Sequence, residues 1–442
     1  MTLAPPRPPG RAAWNAILPQ AGPATPVEGR LTADWLVIGA GFAGLAAARR
    51  LCQLRPAETI RVLEAGRVGE GPAGRNTGFM IDLPHDLQSE DYGGAAERDR
   101  AQIARNRAAI AFAAEAAEQY GLPQEAFDRA GKINGAASAA ADARNASYAA
   151  HLDALGEPWE RLDAAAMKRV TGSEHYVSGL YTPGTVMIQP AMFVRGVAAG
   201  LARDGVQVHE ESPVTAFRPA GRDWVAESPG GQVTAGGVVL AVNGFVEAFG
   251  HFTRRLVHLY LYGSMTRALT AEEVRHLGGE PRWGITPSDP MGTTVRRISG
   301  TGGDRIVVRN RADYVPGRAM GEPRLAQVSR DHDRAFAARF PMLRGVEMEH
   351  RWGGLLCLSL NGAPAFGAVE EGVWSACCQN GLGTVRGTLS GLAAAEHAAG
   401  QPGPLAREMA QQPEPTRLPP APLDRIGATA TLRWKEWRAT GE

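Results

Sequence analysis

Three glycines and one acidic residue near the start of the chain have the spacing of a nucleotide-binding turn. Gly39, Gly41 and Gly44 follow the apolar run 35–38, and Glu64 ends a second apolar run. The first glycine permits a tight turn, the second lets a pyrophosphate approach the backbone, and the third lets the next helix pack on the strand. Because a helix N-terminus attracts phosphate, this pattern predicts a dinucleotide-binding unit with Glu64 on a ribose. The alternative is a glycine-rich loop in an ordinary α/β core.

Composition and charge exclude several other classes of protein. The 442 residues are 44% hydrophobic and 21% charged, and their net charge is +1. These values are ordinary for globular proteins, and they lack the basic excess of a nucleic-acid-binding surface. No apolar run reaches the ~18 residues of a membrane helix, and no secretory signal opens the chain. We therefore expect a cytoplasmic protein with neither a membrane span nor a nucleic-acid partner.

The four cysteines are too few for a disulfide scaffold, and their spacing fits no zinc site. We expect them to be small buried hydrophobic residues, and we expect no bound metal.

Hydrophobic periodicity indicates where the main elements lie. It predicts helices over 94–120, 138–155, 323–343 and 384–399, and a buried parallel strand over 238–242. A nucleotide-binding start, a middle sheet and a late glycine turn with a helix together indicate a discontinuous cofactor domain. We therefore predict a two-lobe α/β fold, with a Rossmann-like cofactor domain and an inserted antiparallel-sheet substrate domain. The predicted parts are an extended arm (1–30), the cofactor domain (31–92, 150–245 and 346–400), a helical insertion (93–149), the substrate domain (246–345) and a C-terminal tail (401–442).

Several further motifs, in the same order along the chain, resemble those of one known family. They are Gly74-Arg75-Asn76-Thr77-Gly78, the run 238–244, Arg351-Trp352-Gly353-Gly354, the segment 361–367 and Gly381-Leu382-Gly383-Thr384. With the opening glycine motif, they resemble the FAD-dependent amine and amino-acid oxidases of the D-amino-acid oxidase superfamily, above all the γ-glutamylputrescine oxidase-like branch. The resemblance covers residues 12 to 400.

The resemblance implies a non-covalently bound FAD. Its adenosine end would lie on the opening motif, and the loop 74–78 and the turn 381–384 would lie at the flavin. The implied cofactor-binding residues are Gly39, Gly41, Phe42, Ala43, Gly44, Glu64, Ala65, Arg67, Gly74, Arg75, Asn76, Thr77, Val214, Asn243, Gly244, Gly381, Leu382, Gly383 and Thr384.

Two positions depart from close relatives. Cys357 stands where those relatives have an aspartate, and Gly362 stands where they have a large basic residue. Both changes are expected to alter the substrate site. Covalent flavin attachment through Cys357 is the minor alternative, because its spacing does not match that of relatives with a cysteine-linked flavin.

Candidate catalytic residues lie in the middle lobe and beside the flavin loop. His258, Tyr260 and Tyr262 alternate with apolar residues, so they share one strand face that lines a cavity or packs against the other lobe. His85 follows the flavin loop and could approach the substrate; the alternative is an ordinary loop histidine.

Arginine is in excess in the middle lobe. Residues 251–311 hold ten arginines and five acids. Because guanidinium groups pair bidentately with carboxylate or phosphonate, this excess favours an amine substrate with an anionic group. The candidate substrate residues are Arg309 and Arg311, predicted to share a strand face, together with Arg351 and Trp352.

The implied reaction is oxidation of an amine C–N bond by hydride transfer to flavin N5, with O2 or another acceptor restoring the flavin. Two alternatives stay open: a flavin-dependent monooxygenase, which the late Gly-Asp-Ala motif missing here would favour, and an electron-transfer subunit. The arm and the tail could dock a partner subunit, and a homo-oligomer is also possible.

Overall fold

The structure is a computed structural model that describes residue 3 and residues 9–84 and 93–439. His85 lies outside the described residues. The strands are β1 (Gly29–Ile38), β2 (Ile60–Leu63), β3 (Phe79–Met80), β4 (Lys132–Ala136), β5 (Glu160–Asp163), β6 (Ser178–Thr182), β7 (Val186–Met187), β8 (Gln207–His209), β9 (Ala216–Ala220), β10 (Asp223–Ser228), β11 (Gly231–Leu240), β12 (Val257–Thr266), β13 (Trp283–Pro287), β14 (Thr294–Ile298), β15 (Arg305–Tyr314), β16 (Met348–Leu358), β17 (Ala365–Glu370) and β18 (Val373–Cys377). The α-helices are α1 (Ala13–Ala16), α2 (Phe42–Leu54), α3 (Ala96–Gln119), α4 (Ala139–Leu155), α5 (Ala164–Thr171), α6 (Pro190–Arg203), α7 (Ala271–Leu277), α8 (Glu322–Arg339), α9 (Gly383–Ala398), α10 (Pro404–Ala410) and α11 (Leu423–Arg438).

The first sheet carries the nucleotide-binding unit. Its main path runs β17-β18-β11-β1-β2-β8, and the inner neighbours from β18 to β8 are parallel. Helices α2, α3, α6 and α9 bury one face of this sheet in a single core. The parallel sheet with packed helices confirms the predicted Rossmann-like part of the α/β fold.

The second sheet runs β16-β12-β15-β14-β13-β4-β6-β5 and is antiparallel except for the β13–β4 pair. This sheet extends beyond the predicted substrate domain (246–345). Strands β12 to β15 lie inside that range, whereas β4, β5 and β6 precede it and β16 follows it. Helices α5 and α8, with the residue after α8, pack against one face of this sheet through Met167, Phe336 and Phe340.

The helices predicted by periodicity are confirmed to within a few residues as α3, α4, α8 and α9. Helix α6 was not predicted, although Pro190 stands in its first turn. The side chain of Gln189 caps this helix by accepting a hydrogen bond from Met192 N–H. Across the described part of the chain, the helices are too short or too polar to cross a membrane.

A buried histidine on α8 gives the fold a pH dependence. The ring Nδ1 of His332 is hydrogen-bonded to Ser264 Oγ at 2.7 Å. Burial lowers the pKa of His332 from 6.5 to about 4. His332 therefore binds a proton near pH 6.5 in the unfolded chain, but only near pH 4 in the folded chain. Stability must fall as the pH drops through this window.

We expect the free energy of unfolding to fall by roughly 1 kcal/mol through His332 between pH 6.5 and 5.5. Urea unfolding at each pH would measure this slope. In His332→Asn the slope should flatten, whereas replacement of the exposed His276 by Asn should leave it unchanged. Equal slopes in all three proteins would contradict the assignment.

Candidate functional site

The opening glycines are constrained in different ways by the fold. Gly39 has a φ of +104°, and a Cβ there would lie 2.6 Å from the carbonyl oxygen of Ala241. A Cβ on Gly44 would lie 1.7 Å from the carbonyl oxygen of Gly39, so both positions require glycine for packing. Gly41 differs, because its Cβ would meet only the Cβ of Ala73, at 3.5 Å, among the described atoms. The space beside Gly41 is therefore open to a ligand.

Helix α2 presents its N-terminus to that space. Its N-cap is Gly41, and no side chain caps the first turn, which contains Phe42 and Ala43. Uncapped N–H groups beside an open glycine form the cradle that a pyrophosphate needs.

Glu64 follows β2 beside the same turn. Its Oε2 accepts a hydrogen bond from Ala40 N at 2.9 Å, its Oε1 accepts one from Gly66 N at 3.2 Å, and burial raises its pKa. Of the other residues predicted here, Arg67 pairs with Glu210 at 3.2 Å, Val214 is buried in the core and Ala65 is exposed. The donor and acceptor set fits the adenosine end of FAD.

The predicted flavin loop is held in place from behind. Gly74 needs to be glycine, because its Cβ would lie 1.7 Å from the Gly69 carbonyl oxygen. The side-chain oxygen of Asn76 accepts a hydrogen bond from Gly78 N at 2.8 Å, and its backbone carbonyl accepts one from Trp14 Nε1 at 2.7 Å. The guanidinium of Arg75 donates to the carbonyls of Pro9, Gly10, Glu70 and Gly353, and burial lowers its pKa to about 10.

A second buried arginine supports the same loop. Arg296 on β14 donates to the carbonyls of Thr77 and Gly78 at 3.0 Å, and its guanidinium lies over the Trp14 ring. Burial lowers its pKa to about 9. The loop conformation thus depends on the N-terminal segment and on the second sheet together.

One cavity of about 640 Å³ brings the separate motifs together. Arg75, Asn76 and Thr77 line it from the loop, and Gly381, Leu382, Gly383 and Thr384 line it from the late turn. Thr384 Oγ1 donates to the carbonyl of Phe79 at 2.6 Å, so the turn is fixed to the loop. The first turn of α9, whose N-cap side chain makes no capping bond, faces this junction.

The β12 face that lines the cavity is the apolar one. Val257, Leu259 and Leu261 line it, whereas His258 is buried elsewhere and pairs through Nε2 with Glu247 at 2.6 Å. Tyr260 donates to the carbonyl of Arg318 at 3.3 Å.

Tyr262 also lines the cavity. Its hydroxyl donates to Asp313 at 2.8 Å, and burial raises its pKa. Catalytic roles for Tyr262 and the other two residues stay predictions.

The candidate substrate residues separate in space. Arg309 and Trp352 line the cavity, and Trp352 also donates through Nε1 to the Arg75 carbonyl at 3.0 Å. Arg311 instead pairs with Asp331, and Arg351 with Asp333, both at 2.8 Å. Arg309 is therefore the one of the three arginines with access to a ligand there.

Asn243 and Gly244 lie behind the cavity wall. Asn243 Oδ1 accepts from the thiol of Cys357 at 3.0 Å, and a Cβ on Gly244 would lie 2.7 Å from the His258 ring. On β16 the neighbours Leu356 and Leu358 line the cavity, so Cys357 points to the opposite face.

Sequence reasoning missed two parts of the cavity wall. One is the end of β13 with the connection that follows it, at Pro287, Pro290 and Met291, and the other is the C-terminal helix α11. The spacing of Asp424, Ala428, Leu432 and Glu436 in α11 is helical, which signals an inward stripe but not what it covers.

Comparison with known proteins identifies one family. The family described as "DAO: FAD dependent oxidoreductase" matches residues 34–397. "Probable oxidoreductase OrdL" of Rhizobium meliloti (strain 1021) is 27% identical over 420 residues, which cover 91% of each chain. Gamma-glutamylputrescine oxidoreductase of Escherichia coli (strain K12) is 26% identical over 380 residues, or 83% of each chain.

Solved structures share the fold. Glycine oxidase from Geobacillus kaustophilus superposes with a TM-score of 0.66 at 17% identity, covering 85% of this chain and 96% of that one. Iminodiacetate oxidase from Chelativorans sp. BNC1 gives 0.67 at 15% identity, covering 86% and 100%.

Proposed function

The chain belongs to the DAO family of FAD-dependent oxidoreductases, and from this premise we propose that it oxidises the C–N bond of a small amine or amino acid. Its cofactor is FAD, which when bound would supply a two-electron acceptor at flavin N5 that O2 or another acceptor would reoxidise. We propose that the FAD is held without a covalent bond. The nitrogen lone pair forms the C=N bond as the C–H bond breaks, and water converts the imine to a carbonyl compound and an amine.

The observation that carries this proposal is the shared cavity. The flavin-loop residues 75–77 and the late turn 381–384 line the same space as the apolar faces of β12 and β16. A ring held by the first two groups would have a substrate between itself and the sheet. This supports an arrangement in which the chain positions the substrate and the cofactor performs the electron transfer.

The lining also favours the reactive form of an amine. The nitrogen must be neutral for its lone pair to be available, and apolar surroundings and nearby cations both disfavour the ammonium form. Arg309 and Lys435 line the cavity, with Asp424 as its one carboxylate among the described residues. Arg309 is our candidate for an anionic group of the substrate.

The proposal includes a cytoplasmic location. None of the four cysteines forms a disulfide, which is the usual state of cysteines in a reducing compartment.

Anaerobic flavin reduction tests the function. The purified holoprotein would be mixed with alkylamines, amino acids, polyamine conjugates, aminosulfonates and aminophosphonates, and its visible flavin absorbance followed. We expect rapid bleaching by one class, and none by the matched quaternary ammonium compound, which has no nitrogen lone pair. Admitting air afterwards distinguishes an oxidase from a dehydrogenase. A bound flavin that no amine bleaches would contradict the proposal and favour a monooxygenase or an electron-transfer subunit.

A further inference from the structure

We propose that the C-terminal segment 414–438 is the outer wall of the substrate cavity, and that it selects amines with a long apolar substituent. This inference rests on the proposed amine oxidation, because it assigns the substrate class of that same site. The segment lies beyond residue 397, where the match to the family ends. The wall is therefore an addition to the part of the chain that the family match covers.

Helix α11 gives the cavity its length. Asp424, Ala428, Thr431, Leu432 and Lys435 line the cavity from this helix. The twelve residues from Asp424 to Lys435 span about 16 Å along the helix axis. A substrate chain lying along this wall can be much longer than the side chain of a common amino acid.

The two walls that face each other are mainly apolar. Leu418 and Leu432 contribute to the outer wall, and Leu259, Leu356 and Leu358 contribute to the sheet wall. The charged residues of the helix that line the cavity stand near its two ends, at Asp424 and Lys435, and Asp424 accepts a hydrogen bond from Tyr314 at 3.3 Å. A substituent between the ends therefore meets mainly apolar side chains, with Thr431 as the polar exception on the helix.

The residues that anchor the C-terminal segment are not the residues of α11 that line the middle of the cavity. Glu436 is buried and accepts from Ala312 N at 2.9 Å, and Arg433 pairs with both Asp313 and Glu436.

The strap before the helix is held in the same way. Leu418 N donates to the carbonyl of Arg254, and Arg254 donates to that of Pro419, both at 2.8 Å. Substitution of Ala428 therefore removes none of these anchors.

A homologous series of ligands tests the wall. Each methylene buried between the two walls should tighten binding by about fourfold. The holoenzyme would be titrated anaerobically with straight-chain amines from butylamine to decylamine, giving Kd and the limiting rate of flavin reduction. The matching n-alkanols, followed by perturbation of the flavin spectrum, report binding without turnover.

A matched pair of variants on one helix locates the effect. Ala428 is half-buried on the inward side, and Ala430 is exposed. We expect Ala428→Phe to bind the longest ligands about tenfold or more weakly, equivalent to losing about two methylenes, and to bind the shortest ones normally. Ala430→Phe should behave as the parent protein.

The outcomes separate the two proposals. A parent protein whose Kd is independent of chain length, or equal chain-length slopes in both variants, would overturn the wall. Chain-length-dependent binding of alkanols without bleaching by any amine would support the wall and overturn the amine-oxidising function.

Discussion

Replacing Gly41 with valine is expected to give a folded protein that is purified without FAD. A Cβ at this position meets only the Cβ of Ala73, at 3.5 Å among the described atoms, and the backbone there is extended (φ −87°, ψ −168°). The free energy of unfolding should therefore change by no more than about 1 kcal/mol. The added isopropyl group would occupy the space at the uncapped N-terminus of α2. We expect FAD affinity to fall by on the order of 100-fold, about 3 kcal/mol.

The measurements are the flavin content per chain, the Kd of the apoprotein for FAD and the thermal unfolding midpoint without FAD. Two matched glycine variants bracket the result. Gly44→Val should fail to fold, because its Cβ would lie 1.7 Å from a backbone oxygen. Gly317→Val should fold and bind FAD, since no described atom other than those of Gly317 and its two chain neighbours lies within 4 Å of its Cβ. A yellow Gly41→Val protein with the parent affinity would show that the pyrophosphate binds elsewhere.

The nucleotide-binding unit was predictable because its determinants are local. The turn at Gly39, the packing of Gly44 and the parallel pairing of β1 with β2 are encoded within some thirty residues. The late turn was found in the same way. That these segments line one cavity followed from the family resemblance and not from local pattern.

The face of β12 that lines the cavity was harder to predict for a physical reason. Alternation along β12 defines two faces, but only packing decides which one is turned to a cavity. The apolar face lines the cavity, and His258 instead pairs with Glu247, in the connection that precedes the strand. Nothing in the residues 257–262 alone distinguishes these arrangements.

The separation of Arg309 from Arg311 has a local cause that periodicity does not capture. Residues two apart on a regular strand share a face. In β15, however, Leu261 pairs with Ala312 and Tyr262 with Asn310, so Arg311 has no partner on β12. Its φ is +63°, as expected for the extra residue of a β-bulge. The bulge turns its side chain towards Asp331 and leaves Arg309 at the cavity.

Replacing Arg309 with methionine is expected to lower kcat/KM for anionic substrates alone. If Arg309 binds the carboxylate of an amino acid, its loss should lower kcat/KM for that substrate by about 30- to 150-fold, corresponding to about 2–3 kcal/mol for charge-assisted hydrogen bonds. For an alkylamine without an anionic group, kcat/KM should stay within about threefold, because methionine keeps the apolar volume. Steady-state kinetics with both substrates would measure the ratio.

Arg351→Met is the matched control, because its guanidinium pairs with Asp333 away from the cavity, whereas Arg311 also pairs with Glu436 of the outer wall at 3.7 Å. Arg351→Met should leave the ratio between the two substrates unchanged, even where surface ion-pair loss lowers stability slightly. Arg309→Lys keeps the charge but loses the planar fork, so its ratio should lie between those of the parent and Arg309→Met. If Arg309→Met weakens alkylamine and amino-acid turnover equally, the arginine supports the cavity wall and binds no anion. The apolar surface between β12, β16 and α11 would then decide the substrate on its own.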